Sequence, residues 1–378
     1  MFYEKQTKQQ QDNYKKMLTV MGNLTKLFSE SNSPYLPYRA HENIFCKYFE
    51  AENLGRLDCS ADAKKDNIGI GLKTWTGQND QKIAEFGKLK QSFDSLSGLN
   101  LCKRIASYRN ERIRITKNLH GIDTMLYHII KRVPGMMQII EYAFDYIDIN
   151  NISLLPNRGG DNNTYFTDGK HTYHFSSSKN TLYMLFENCV ILDTFNVEIM
   201  DDPYEYLMNL ATNNIIPLAQ TPVQNPRENQ LCLRLYSTKS NGEKYVFEKS
   251  GLNQWNASGR KRHPNELYIP YPAEDRLRNP NFFPPRDTVF NLTLPDGTVI
   301  PAKVCQENNK AIMSNPNKLL GEWLLRKVFE VPEKKLITYE MLLMFGIDSV
   351  IFTHIGDLNY SIDFAEIGTY EEFYENND

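Results

Sequence analysis

Apolar residues recur at spacings of three and four near the start of the chain. Tyr14, Met17, Leu18, Met21, Leu24, Leu27 and Phe28 form one stripe, which predicts an amphipathic helix from residue 7 to about 30. The polar stretch Ser31 to Pro34 stops it. A second helix is expected over Arg39–Asn53, with Phe45, Tyr48 and Phe49 facing inward. The pattern then changes to that of a hairpin: Asp58 to Ala63, a polar turn at Lys64 to Asn67, and the run IGIGLKTW from Ile68 to Trp75. Gln81 to Leu96 returns to helical spacing through Ile83, Phe86, Leu89, Phe93 and Leu96. The basic stretch that follows reads as helical up to Pro134-Gly135, and short strands come after it, among them TYHF and TLYMLF.

The three prolines between Ile216 and Asn229, with no clear periodicity around them, mark a boundary. Beyond it, short alternating runs such as LCLRLYS, KYVFE, VFNLTLP, TVIPAKVC and SVIFTHI dominate. They are interrupted by helices expected at Asn317–Phe329 and Thr338–Phe345. Many short strands with few helices point to a barrel-like β domain. The expected layout is an α/β (α+β) domain over residues 1–218, a linker over 219–229, and an all-β domain over 230–378.

Composition narrows the function. With 378 residues, 41% hydrophobic and 24% charged, the chain is long enough for two cores and is neither disordered nor fibrous. No apolar run is long enough to span a membrane. The first thirteen residues lack the apolar core of a secretory signal, so the cytoplasm is the expected compartment. Six scattered cysteines form no CxxC pair, which gives no zinc knuckle, redox motif or disulfide scaffold. The net charge of −3 hides a segregated distribution. Lys103 to Arg132 holds eight basic and two acidic residues, and Arg227 to Arg286 holds eleven and six. Six carboxylates between Glu187 and Glu205, and seven between Asp357 and Asp378, offset them without any base. Such segregation suits a polyanionic partner and also suits ordinary solvated surface.

Candidate chemistry sits in the first hundred residues. A turn centred near Asn67 would set Asp62 almost opposite Lys73 on the neighbouring strand. A carboxylate that holds Mg2+, with a lysine that orients water or balances charge, is what phosphodiester hydrolysis requires. A hard cation needs further oxygens. Glu42, on the inward face with Phe45 and Phe49, is one source. Glu85, twelve residues after Lys73 and expected to open the next helix, is another. Tyr108, Arg109, Asn110, Arg112 and Arg114 would supply phosphate contacts, and so would Lys179 with the hydroxyls of His171 to Tyr183. The same residues equally suit a helix face and an edge strand.

The hairpin resembles the PD-(D/E)xK nuclease fold common to many restriction endonucleases, in which an Asp begins one strand and (D/E)-x-Lys ends its neighbour. Asp62 and Lys73 match; the acid expected two before the lysine is Gly71. The resemblance implies a metal set of Asp62, Glu85 and Glu42, with Lys73 completing the catalytic group.

A second resemblance rests on SGLNQW (Ser250 to Trp255), GRKRHPNELYIP (Gly259 to Pro270), FFPPRD (Phe282 to Asp287), LPDGTVIPAKVCQ (Leu294 to Gln306) and KAIMSNPNKLLGEWLLR (Lys310 to Arg326). This succession resembles the B3-like pseudobarrel that recognises DNA in restriction enzymes of the EcoRII and BfiI type. It implies two arms in the major groove. The first would be Asn253, Gln254, Trp255, Asn256, Arg260, Lys261 and Arg262, and the second Ser314, Asn315 and Lys318. Arg pairs bidentately with guanine, Asn and Gln with adenine, while Lys and Ser hold phosphate. A core Trp255, a turn at Asn315-Pro316 and a solvated loop at Arg260 to Arg262 are the alternatives. BfiI-type enzymes join this module to a nuclease that needs His-x-Lys, and none of the seven histidines is followed so. P-loop and HExxH motifs are also absent.

The resemblances together imply a type II restriction endonuclease that cuts double-stranded DNA with Mg2+. It would act as a homodimer, with a cognate DNA methyltransferase as its genetic partner. A DNA-binding protein without catalysis, and a nuclease that cuts only modified DNA, are the rival expectations.

Overall fold

The computed structural model describes residues 1–55, 59–77, 80–155, 162–212, 229–253 and 263–375. The chain divides into two compact units. Met1–Asn110 with Ile122–Val223 make the first, and Glu111–Gly121 with Gln224–Asp378 make the second.

In the first unit α1 (Lys8–Asn23) begins with a reciprocal cap, in which the Thr7 hydroxyl accepts from the Gln10 amide and Gln10 Oε1 accepts from the Thr7 amide. It ends earlier than the apolar stripe predicts, and a tight turn at Thr25–Leu27 takes over. Helix α2 (Tyr38–Phe49) stops at Glu50, whose φ of 53° leaves the helical region. β1 (Glu52–Asn53), β2 (Ala63–Lys65) and β3 (Ile68–Trp75) form a meander, and β4 (Gln81–Glu85) follows. Helix α3 (Gly98–His120) leads to β5 (Thr124–Val133), which turns at Pro134-Gly135 into β6 (Met136–Ala143). β7 (Ser153–Leu154), β8 (Asn163–Thr167), β9 (Thr172–Ser176), β10 (Thr181–Leu185), β11 (Ile191–Asn196) and α4 (Pro203–Thr212) complete it.

Two sheets result. The first has the order β1-β2-β3-β5-β6-β11, antiparallel except for the parallel β3–β5 pair across the α3 crossover. The second, β4-β10-β9-β8-β7, is antiparallel throughout. Tyr14, Leu18, Phe45 and Phe49 from α1 and α2 pack with Ile70, Leu72, Ile130 and Ile139 on one face of the first sheet. The inner part of the α1 stripe is therefore used inside its own unit. Two expectations need correcting. Gln81 to Glu85 is a strand because its backbone pairs with β10 along an edge, and tertiary pairing outweighs a weak helical period. Thr124 to Val133 is a strand too, because its β-branched and aromatic run is paired on both sides, with β3 and β6.

The second unit holds β12 (Gln230–Arg234), β13 (Ser237–Thr238), β14 (Lys244–Tyr245), β15 (Ile269–Pro270), α5 (Ala273–Arg278), β16 (Val289–Thr293), β17 (Val299–Cys305) and β18 (Ala311–Ser314). It continues with α6 (Leu319–Gly321), a wider π-helical stretch over Glu322–Val328, α7 (Tyr339–Phe345), β19 (Ile347–Gly356), β20 (Asn359–Glu366) and α8 (Thr369–Glu375). Seven strands make a barrel-like sheet in the order β12-β19-β20-β16-β17-β18-β15. Its interior is filled by Leu231, Leu233, Phe290, Leu292, Ile312, Val350, Phe352 and Ile362, joined by Ile115 and Leu119 from the end of α3. No described helix is long and apolar enough to cross a membrane.

Candidate active site and DNA-contact residues

The β2–β3 hairpin closes on a two-residue turn, Asp66-Asn67, with Lys65 paired to Ile68 and Ala63 to Ile70. Asp62 lies in the bend before β2, and its amide donates to the carbonyl of Ile70, the residue already paired with Ala63 (2.9 Å). Lys73 is therefore not opposite Asp62, and the hairpin register is displaced by two residues from the expected one. Asp62 Oδ2 accepts from the Leu72 amide at 2.6 Å, which pins the carboxylate beside the strand that carries the lysine.

Glu42, in the second turn of α2, is buried with 6% of its surface exposed, and its Oε2 accepts from Arg39 Nη1 at 2.9 Å. Burial pushes its carboxyl above the ordinary value. Arg39 pulls it back, Asp62 pushes it further up, and Lys73 opposes that. Glu42, Asp62 and Lys73 thus share one electrostatic neighbourhood. The adjacent His41 is buried and held well below its ordinary pKa, first by desolvation and then by His128 and Lys73, so it stays neutral. It bonds the Tyr14 hydroxyl at 2.9 Å, and the same hydroxyl meets His128 Nε2 at 3.0 Å.

Glu85 does not join them. It ends β4 in the second sheet, is exposed, and pairs with Lys82 at 3.1 Å. No group of three or more His, Cys, Asp or Glu placed for a metal exists among the described residues. The expected three-carboxylate set is corrected to a pair, Glu42 and Asp62. That pair fits a hard divalent cation in kind, because Asp62 raises the proton affinity of Glu42 and positive charge between the two carboxylates would relieve it.

Sequence reasoning missed what stands around this pair. Arg39 was legible as the i, i+3 partner of Glu42 on one helix. Tyr127 was not: it neighbours Gly71 only through the parallel β3–β5 pairing. Its ring stacks on Phe144 at 4.1 Å, and its hydroxyl accepts from Arg109 Nη2 at 3.2 Å.

Arg109 is corrected as a phosphate contact. It is 3% exposed, and it also donates to the Asp145 carbonyl at 2.8 Å. Its neighbours are used in the same way: the Tyr108 hydroxyl donates to Ser92 Oγ, and Asn110 bonds both backbone groups of Ile147. Arg112 lies half-buried against Gly346, and Arg114 pairs with Glu111 and Glu330. Lys179 is exposed in the β9–β10 turn.

In the second unit Asn253 is a clamp. Its Nδ2 donates to the carbonyls of Phe247 (3.1 Å) and Ile337 (3.0 Å), and its Oδ1 accepts from the Ile337 amide (2.7 Å). With both ends of the amide engaged, it is corrected from base reader to anchor. Gln254, Trp255, Asn256, Arg260, Lys261 and Arg262 lie outside the described residues. On the far side of that segment, Arg326 holds Asn265 Oδ1 at 2.8 Å and the Pro264 carbonyl at 2.7 Å. Ser314 is also corrected: it is 1% exposed and its hydroxyl accepts from the Leu320 amide at 3.0 Å. Asn315 is exposed, and Lys318 is half-exposed beside Glu322 at 3.3 Å. Gly321 brings the two loop regions together, since a Cβ there would fall 1.9 Å from the Asn265 carbonyl oxygen.

Residues 227–356 match the NgoFVII C-terminal B3-like DNA-binding domain, a restriction-enzyme domain family. These residues, within the carboxy-terminal unit, are similar to a DNA-binding domain of B3-like type. The match covers about a third of the 378 residues and includes every motif from Ser250 to Arg326. Six of the seven strands of the barrel-like sheet, the clamped Asn253 and the Ser314 loop fall inside it, and β20 lies beyond it. No curated protein matches the chain.

Proposed function

We propose that the protein is a type II restriction endonuclease whose B3-like domain reads a short duplex site and whose amino-terminal domain, PD-(D/E)xK-like, hydrolyses the phosphodiester. One observation carries this: the Asp62 carboxylate is held by the Leu72 amide, next to Lys73 on the same strand, with Glu42 in electrostatic reach of both, in a chain that also matches a B3-like DNA-binding domain. Glu42 and Asp62 would hold Mg2+, which when bound supplies Lewis-acid polarisation of the scissile phosphate. Asp62 is kept in place by the Leu72 amide and Glu42 by Arg39, so neither must reorganise when the substrate arrives. Lys73 orients the attacking water in line with the leaving 3′ oxygen and balances the charge that gathers on the phosphoryl oxygens. The products are 5′-phosphate and 3′-hydroxyl ends. Cutting both strands takes two such sites, so the enzyme acts as a homodimer on DNA. A methyltransferase encoded nearby would protect host DNA.

Gly71 in place of an acid favours a second reading, a sequence-specific binder without catalysis. Incubation of supercoiled plasmid with protein and Mg2+ separates the two. Discrete fragments that disappear with Lys73→Ala support the nuclease; a retarded but intact plasmid in both cases leaves only the binder. Running the digest on methylated and unmethylated plasmid tests for dependence on modified bases.

A further inference from the structure

We propose that Arg326 is a positioning residue that sets base specificity in the B3-like domain. It ties the far root of the first recognition loop, at Pro264 and Asn265, to the helical segment that begins beside Lys318, so that both expected arms are held in one frame. The inference deepens the DNA-reading half of the proposed function and rests on it; cleavage plays no part in it.

The roots of the loop between Asn253 and His263 are fastened to one short stretch of backbone. Asn253 holds Ile337 by both its amide and its carbonyl. Arg326 holds the carbonyl of Val331, six residues earlier, through Nη1. The rest of its fork reaches the far root: Nε donates to Asn265 Oδ1 at 2.8 Å, and Nη2 donates to the Pro264 carbonyl at 2.7 Å. One planar guanidinium thus joins three carbonyl oxygens from two segments of chain. Two glycines close the same frame. A Cβ on Gly321 would lie 1.9 Å from the Asn265 carbonyl oxygen, and one on Gly251 would lie 2.1 Å from the Tyr268 ring.

Arg326 stands in the π-helical stretch Glu322–Val328, after which the Phe329 amide bonds the Leu324 carbonyl, five residues back, at 2.9 Å. Such widened turns give up regular bonding and recur at functional sites. The stretch runs on from α6, which Lys318 of the second expected arm precedes and whose Leu320 amide Ser314 holds. Base contacts are directional hydrogen bonds that fail when a loop root drifts, whereas phosphate contacts are mainly charge and tolerate drift. A loosened root therefore costs discrimination rather than general affinity. Lysine at position 326 would keep the charge, but a point donor on a flexible stem does not bridge both segments.

The test uses the full-length protein in EDTA, so that no DNA is cut. Wild-type protein first selects a preferred duplex from a randomised pool. Affinities for that duplex and for a scrambled one are then measured by fluorescence anisotropy across a salt series, with thermal melts to show folding. Arg326→Lys is expected to narrow the ratio of the two affinities about tenfold, the worth of roughly one mismatched base pair. Affinity for the scrambled duplex and its salt slope should stay as in wild type. Asn265→Ala, which removes one of the three acceptors, should narrow the ratio about threefold. A folded Arg326→Lys protein whose ratio stays within about twofold of wild type overturns the proposal. An equal fall on both duplexes also overturns it, because Arg326 would then be structural support alone. Should Arg326→Lys not fold, Asn265→Ala decides by itself, and an unchanged ratio there overturns the proposal. Wild-type protein that selects no sequence from the pool sinks the DNA-reading half of the proposed function instead, whatever the variants show.

Discussion

In the amino-terminal unit the candidate chemistry stands on or against regular elements: Lys73 on β3, Asp62 bonded to that strand through the Leu72 amide, and Glu42 in the second turn of a helix. In the carboxy-terminal unit it was expected on loops, and two of the four described members, Asn253 and Ser314, turn out to hold those loops in place. The difference is physical. A strand fixes side-chain direction through its backbone, so the right residue at the right parity points where it must. A loop has no such ladder, and its polar side chains are first recruited to satisfy backbone groups that no strand pairs. Amides and hydroxyls at the root of a loop are therefore poor candidates for reading DNA, and residues between the roots are better ones.

The largest expected effect tests the ladder half. Lys73→Ala or Asp62→Asn should slow plasmid cleavage about a thousandfold, while retardation of the plasmid in gels is unchanged. If either variant cuts at near wild-type rate, the strand pair is structural and catalysis lies elsewhere.

Asn253→Ala tests the loop half. It removes three hydrogen bonds between the segment before residue 254 and the backbone at Ile337 and Phe247. At about 1 kcal/mol each, the loss should reach roughly 2–3 kcal/mol of stability, read from urea midpoints. Base preference in selected binding sites should stay the same. A variant of unchanged stability whose preferred sequence shifts would restore Asn253 to the reading residues.

How much of this the sequence disclosed depended on range. The hairpin was legible from the run Ile68 to Trp75 and its polar turn. The register was not, because a four-residue turn and a two-residue turn at Asp66-Asn67 place the strands differently. The barrel and its B3-like character were legible from motifs between Ser250 and Arg326. Thr124 to Val133 was misread because its fate is set by pairing with β3, more than fifty residues earlier, and local periodicity carries no trace of that partner. The same long-range pairing hid Tyr127 from the reading of Gly71. Burial of Arg109 was equally hidden, since a basic helix face looks alike whether it meets solvent or the Asp145 carbonyl.

Glu42 sharpens the comparison through pH. Its folded-state pKa is raised by burial, so its protonated form is the better tolerated one. The associated stability is fully present below the unfolded value near 4.5 and is lost as pH rises through the folded value. Glu42→Gln imitates the protonated form. It should melt at a higher temperature than wild type at pH 7 and at the same temperature near pH 4, while losing cleavage. Arg39→Ala removes the main opposing influence and should move the acid limb of the cleavage profile to higher pH. A limb that stays in place would mean that ionised Glu42 takes no part in the reaction.

The smallest effect separates two neighbours in the second expected arm. Lys318 is half-exposed and paired only to Glu322 among the described residues, whereas the Ser314 hydroxyl is buried on the Leu320 amide. If Lys318 clasps phosphate, Lys318→Ala releases about one fewer counterion on binding. The slope of log K against log salt should then flatten by about 0.9, with unchanged melting. Ser314→Ala should do the reverse, costing about 1 kcal/mol of stability for the lost hydrogen bond and leaving the salt slope alone. Binding isotherms at four salt concentrations, set beside urea melts of both variants, measure both quantities. An unchanged slope in Lys318→Ala would make Lys318 another anchor, through Glu322, and would move phosphate recognition to Arg260, Lys261 and Arg262.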